Sequence, residues 1–407
     1  MKKLSFLLAG LLISGGAYAS NVKMTNYETV KQKAMGGATI LSEVNENALV
    51  NNPALLNEID KWELNIFGMS VSVSTDTMDT ADGIMSMMDD IDSLGDGDDE
   101  KIISLLEAYL EGIPWTDDDT EITYNTDLAK LSNKKLVLDL TQVIAYAKKN
   151  FGVGIFTAIN VNDMRLINNP VSPEIKVDIG GTVQVPIGFS YDFGKKNQYV
   201  IGTAVKAVIG GNATAELDAT DLAEDGDIPI TVQSYTGMAL DLGGIYRTGY
   251  LNYALTINNA FSKLDVTEKV GDGDEVDITG KKLPLTVNFA ISNKYDKKDR
   301  LDKWWDKNVF WTLELKNLTN TDLDADGEKD DNLYKKIHFG VSSMVFNNKW
   351  IKLDLRAGLN QGYPTYGFGT EMFSLVNLDY AYSTRELGPH IGMKEETLHS
   401  ITIDFRM

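Results

Sequence analysis

The chain has no cysteine, only three histidines and nine prolines, and few basic residues for its length of 407. Without cysteine there are no disulfides, thiolate metal sites, thiol nucleophiles or lipid-anchored cysteine at the N-terminus. A cysteine-free chain also suits export into an oxidising compartment. His338, His390 and His399 stand in no zinc or triad motif, and no G-x-S-x-G, phosphate loop or dinucleotide fingerprint occurs. The residues therefore point away from an enzyme. Thirty-eight basic residues against fifty-nine acidic ones give a formal charge of −21, which excludes nucleic acid as a partner because phosphate binding needs a basic surface. Beyond the first residues no apolar run approaches twenty, so any membrane crossing must use strands.

The N-terminus carries Lys2 and Lys3, an apolar run from Leu4 to Ile13, and Ala17-Tyr18-Ala19 before Ser20. A charged start, a short apolar core and an A-x-A site read as a secretory signal peptide over residues 1–19.

What is abundant is alternation. Between Ile175 and Phe193 the odd positions are almost all apolar, while the even ones include Lys176, Asp178, Thr182, Gln184, Ser190 and Asp192. Ile351, Leu353, Leu355, Ala357 and Leu359 alternate with Lys352, Asp354, Arg356, Gly358 and Asn360. Leu283, Leu285, Val287, Phe289 and Ile291 repeat the pattern. A period of two sets one strand face in an apolar medium and the other in a polar one. The pattern predicts fourteen strands near 62–74, 135–148, 151–163, 175–193, 198–212, 229–246, 250–259, 283–294, 308–318, 334–346, 350–360, 365–373, 375–384 and 398–406. Most are longer than the usual five or six residues of a globular strand and match the ten or so that cross a bilayer at a tilt.

The connections after strands two, four, six, ten and twelve are short; those after one, five, seven, nine and thirteen are mostly long. That asymmetry is expected of an outer-membrane barrel with short periplasmic turns and longer external loops. The turn at 295–307 departs from it and holds Trp304-Trp305, read either as part of the inner aromatic girdle or as a packed turn. Ile401, Ile403 and Phe405 close the chain as an alternating strand of the kind that addresses barrel-assembly machinery. A soluble β-sandwich or β-solenoid also alternates, but the strand lengths, the loop asymmetry and the lack of a repeat favour the barrel.

Lys33-Ala34-Met35-Gly36-Gly37-Ala38, followed by Asn51-Asn52-Pro53-Ala54-Leu55 before the first strand, resembles the FadL-type outer-membrane transport superfamily. Leu355-Arg356-Ala357-Gly358-Leu359, Gly367-Phe368-Gly369 and Leu378-Asp379-Tyr380-Ala381-Tyr382 are similar to the last strands of its PorV and TraF-like branches. The long insert after the first strand looks more TraF-like. The resemblance implies an all-β, fourteen-stranded antiparallel transmembrane barrel over 61–407, with residues 20–60 folded inside as a plug or hatch. Its plug motif would be Met35, Gly36, Gly37, Asn52, Pro53 and Ala54. Gly36 and Gly37 permit backbone turns closed to other residues, and Pro53 stiffens the entry to the strand. The same residues could merely shape a turn on the inner wall.

The insert at 76–133 reads as partly helical and external, from the apolar stripes Ile102, Ile103, Leu105, Leu106, Tyr109, Leu110 and Ile84, Met85, Met88, Ile91. Such stripes either pack two helices together or receive a hydrophobic ligand. Acidic residues gather in two predicted external loops, from Glu216 to Asp227 and from Asp265 to Asp277. They are either solvated faces or sites for divalent cations that bridge lipopolysaccharide. Asp322, Asp324 and Asp326 with Gly327 and Asp330 match the first half of a calcium loop, but position twelve is Leu333 rather than Glu, with Asp331 as a substitute. Lys176, Asp178, Glu314, Lys316, Asp354, Arg356 and Asp379 fall on the polar parity and are expected to line the lumen, neutralising one another in part. The leading expectation is a passive outer-membrane channel for small hydrophobic molecules. It would contact membrane lipid and lipopolysaccharide, and use no cofactor beyond a Ca2+ ion in the 322–330 loop. The rival is a barrel that serves as scaffold or shuttle for a secretion or conjugation apparatus.

Overall fold

The computed structural model describes residues 22–75, 77, 104, 115–116, 123–124, 136–167, 174–194, 198–218, 230–271, 273–293, 309–320, 332–386 and 395–407. Fourteen long strands carry the fold: β1 Glu63–Ser74, β2 Leu136–Lys148, β3 Phe151–Ile167, β4 Glu174–Phe193, β5 Tyr199–Asp218, β6 Thr231–Arg247, β7 Leu251–Val270, β8 Thr286–Asn293, β9 Val309–Leu315, β10 Ile337–Asn347, β11 Ile351–Asn360, β12 Tyr363–Met372, β13 Val376–Glu386 and β14 Glu395–Arg406. Each pairs antiparallel with its neighbours in the chain. The sheet closes where β1 meets β14, with Val71 opposite Ile401 and Ser72 opposite Ser400. A closed sheet leaves no edge strand to aggregate.

The alternation in the sequence becomes an inside-out protein. On β4 the odd residues face outward, so that Phe189 is 54% and Tyr191 64% exposed, while Thr182, Gln184 and Ser190 are buried. Ile401, Ile403 and Phe405 of β14 face out in the same way, and Ser400, Thr402 and Asp404 face in. Aromatic side chains collect at one end of this apolar exterior. Phe193, Tyr199, Tyr246 and Tyr253 stack across four neighbouring strands at centroid separations of 5.5, 5.1 and 6.2 Å. They lie at the end of the short turns, where Trp350 also meets Phe373 at 5.9 Å. Toward the opposite end Tyr366 stacks on Tyr382 at 4.7 Å. Trp304 and Trp305 lie outside the described residues. Among the described residues no helix is long and apolar enough to cross a membrane.

Two turns at opposite ends show how the strands reverse. Gln361 and Gly362 both take positive φ between β11 and β12, as do Phe373 and Ser374 between β12 and β13. Paired left-handed residues make the hairpin turn whose twist suits the flanking strands. The wall is uneven in height: β4, β5 and β7 each run twenty residues, whereas β8 has eight and β9 seven. The sequence pattern ended β7 near residue 259, and the strand continues to Val270. The pattern breaks at Asn259. Its φ of 55° marks an irregularity, and the β6–β7 register slips between Leu240 and Leu242. Three residues of β7 stand there against one of β6, so even positions face inward on both sides of the slip; beyond it the outward positions turn polar at Lys263 and Asp265 while Leu264 and Val266 point in. Past Val270 a short strand, Val276–Ile278, folds back on β7.

Within the 76–133 stretch, Trp115–Thr116 pairs with Thr123–Tyr124. The expected helical stripes there lie outside the described residues, as do the signal segment and the acidic loop at 321–331.

Candidate functional site in the lumen

Residues 22–59 lie within the barrel and touch its wall on all sides. The segment contains two short helices, α1 Val30–Ala34 and α2 Ala48–Asn51, and a 3-10 turn Pro53–Glu58. Five residues make a marginal helix alone, so α1 depends on its cap. Thr29 accepts from the Gln32 amide at 3.2 Å while the Gln32 side chain accepts from the Thr29 amide at 3.0 Å, a reciprocal capping box.

Gly36 and Gly37 follow α1 with φ of 71° and 73°. They let the chain turn flat against β10 and β11. A side chain on Gly36 would meet the carbonyl oxygens of Phe339 and Leu359, and one on Gly358 would meet the Gly36 amide. Met35 is fully buried against Gly340. Across the lumen, Pro53 and Ala54 rest on Gly202 of β5, and the Asn52 side-chain oxygen sits where a Cβ on Gly243 of β6 would be. Asn52 also donates to the Ile40 carbonyl at 3.3 Å and accepts from the Ala54 amide at 3.1 Å, tying the two parts of the segment together. Leu49 and Leu56 fill the space over Gly152 and Gly188.

The charged side chains on the inner wall hold this segment. Glu314 is fully buried and accepts from the amides of Thr39, Ile40 and Leu41 at 2.7 to 3.1 Å. Lys316 donates to the Gly37 carbonyl at 2.9 Å, and the His338 ring bonds the Gly36 carbonyl at 2.8 Å. Asp178 pairs with Lys23. Asp354 and Asp379 flank Arg356 at 2.5 and 2.6 Å. Lys176 stands on the inward parity of β4, partly covered. Asp322, Asp324, Asp326 and Asp330 lie outside the described residues, so the calcium expectation has no geometry to set beside it.

Several inner residues carried no motif. Lys206 and Asp241 form a buried pair at 2.8 Å, each 2% exposed or less. Their signal was a charge on the inward parity of an apolar strand. Glu46 accepts from Arg406 at 2.7 Å and from Asn65 at 3.0 Å, joining the segment to the barrel seam. Glu43 accepts from Thr29, Gln32 and Asn47 within the segment. Burial pushes its carboxyl above the usual 4.5, against the pull of Lys31 and Arg406.

The segment does not fill the lumen. Among the described residues it leaves two chambers, of about 310 and 300 Å3. The first lies toward the short turns and is lined by Asp354, Arg356, Asp379, Asp404, Arg406, Lys352 and Glu371 of the wall with Lys31 and Glu43 of the segment. The second lies toward the long loops and is lined by Lys206, Lys316, Lys335, Lys336 and Arg385, several amides, and Glu28 as its carboxylate. The first chamber is of mixed charge and the second is rich in cationic side chains. An apolar cluster of Val22, Val208, Tyr235, Ala239, Val266 and Leu283 backs the second, with Met24 packed against it.

No family model matches the chain, and no curated protein does. Several solved structures are similar over nearly its whole length. A TodX deltaS2S3 mutant monoaromatic hydrocarbon channel has 12% identity, covers 95% of this chain and 99% of its own, and gives a TM-score of 0.50. The Pseudomonas putida toluene transporter TodX has 11% identity, 96% and 99% coverage, and 0.48. A Pseudomonas aeruginosa FadL homologue has 10% identity, 96% and 98% coverage, and 0.42. At such identities the first likeness establishes a shared barrel fold. The PorV and TraF-like side of the sequence resemblance gains no support from these likenesses.

Proposed function

We propose that this protein is a bacterial outer-membrane channel through which small hydrophobic molecules pass passively, with residues 22–59 as its plug. The observation that carries the reading is a closed barrel, apolar outside, whose lumen is divided by an inner segment into two chambers rather than packed solid. The aromatic band at the short-turn end of the exterior is what a bilayer interface selects. The FadL-type motifs at residues 33–38 and 51–55 agree with it, as does a hydrocarbon channel among the structures of similar fold. An apolar cavity of roughly 150 Å3 holds benzene, so either chamber has room for a monoaromatic molecule. Their polar linings favour a hydrophobe that carries a polar group over a bare hydrocarbon.

The test is uptake by whole cells of a labelled monoaromatic probe, with and without the protein in the outer membrane. The channel reading expects several-fold faster uptake that a protonophore does not slow. Equal rates in the two strains would remove it.

A further inference from the structure

We propose that Tyr27 is the partition between the two chambers and thereby sets what passes from one to the other; the role as a determinant of passage rests on the channel reading above. Among the described residues, Tyr27 is the one residue that lines both of these cavities. Its neighbours in the chain divide cleanly: Asn26 and Glu28 line the loop-side chamber, whereas Thr29 and Lys31 line the turn-side one. Tyr27 is 8% exposed, and its ring meets Phe156 of β3 edge-on at 5.0 Å, which sets it against the wall.

The backbone on each side of the ring is tied down. The Thr25 amide donates to Thr182 of β4 at 3.2 Å, and its hydroxyl donates to Asn160 of β3 at 2.8 Å. Two residues after Tyr27, the capping box of Thr29 opens α1. Residues 26–28 therefore form a short bridge between two anchors, with the phenol ring at its middle. A ring held by packing between fixed points can block a path, yet its removal leaves the anchors in place. Shortening it to a methyl group opens space at the contact of the two chambers, because close-packed surroundings relax only in part around a deleted side chain. The chambers on either side differ in charge, so the ring also separates two different electrostatic environments.

The decisive experiment is the conductance of the purified full-length protein in planar bilayers, as wild type, Tyr27→Ala and Tyr27→Phe, with heat-modifiability as the check on folding. Tyr27→Ala is expected to conduct several-fold more than wild type, and Tyr27→Phe, which keeps the ring, to return to the low value. A folded Tyr27→Ala barrel with wild-type conductance overturns the proposal. Should that variant not fold, the cysteine-free chain allows a test with Tyr27 intact. Asn26→Cys and Lys31→Cys are exposed separately, on intact cells, to a membrane-impermeant maleimide. Reaction many times faster at position 26 is expected, and equal rates overturn the partition. Whole-cell uptake separates the two claims. Uptake by wild type with no conductance gain in Tyr27→Ala removes the partition and leaves the channel; a gain without wild-type uptake does the reverse.

Discussion

Glu314 gathers three consecutive amides of the inner segment on one carboxylate, far from water. Glu314→Ala strands those donors, at on the order of 1–3 kcal/mol for each buried group left unmade. The variant should lose its compact gel form at a lower temperature and admit protease into residues 22–59; Glu314→Gln, which keeps one acceptor, should fall between. The buried Lys206–Asp241 pair permits a sharper comparison. Lys206→Met leaves an uncompensated carboxylate and should cost about 3–5 kcal/mol. Adding Asp241→Leu should recover part of that in chemical unfolding, but not all, because Asp241 also accepts from the Asn259 amide at 2.7 Å. Glu43 makes a pH prediction. Its folded carboxyl binds a proton more tightly than the unfolded one. Its contribution is thus fully present below about 4.5, the unfolded value, and fades as pH rises through the higher folded value. Glu43→Gln should remove that component from the pH dependence of the melting temperature. Of these residues the sequence disclosed Glu314, through its parity on a strand. It said nothing of Tyr27 or Glu43, which lie in an irregular segment where no period says which way a side chain points.

Asn259 is where an element departs from its pattern. Its left-handed φ lets β7 run on past the slip, and its side chain donates to the Pro284 carbonyl at 2.8 Å, where the regular ladder to β8 has ended. Ser262 makes a similar link by accepting from the Leu283 amide at 3.1 Å. Asn259→Ala loses both the side-chain bond and the tolerance of that φ; Asn259→Gly loses only the bond. The alanine variant should be the less stable by about 1–2 kcal/mol, the cost of a left-handed alanine, as read from unfolding in denaturant. Elements were legible wherever one face meets an apolar medium and the other a polar one, hence the close agreement at β1, β2, β4 and β11. The distal half of β7 was not legible because beyond Asn259 its outward positions include Lys263 and Asp265 while Leu264 and Val266 face in, which inverts the apolar pattern. The end of β3 is hidden by a register slip against β4 between Val161 and Asp163, and that of β5 by Gly210, Gly211 and Ala213, which carry little apolar signal.

For the molecule as a whole, an apolar exterior around a closed sheet predicts recovery in the detergent-extracted membrane fraction. The unboiled protein should migrate faster on a denaturing gel than the boiled one. Recovery from the soluble fraction without a band shift would contradict the membrane reading. Fold class and strand count were legible because a barrel repeats one rule around its circumference. The chambers were not, since a void is set by how an irregular segment meets fourteen strands at once.

The seam has a kinetic meaning as well. Glu46 reaches Arg406 across 360 positions, and β1 finds its second partner only in the last strand. Earliest and latest parts of the polypeptide must therefore meet before either is fully satisfied, so docking of the segment and closure of the ring belong to a single late event. Contacts so distant in sequence make assembly slow. They do not make it correspondingly unstable, because loop entropy grows only with the logarithm of length, and a tenfold longer span adds about 2 kcal/mol.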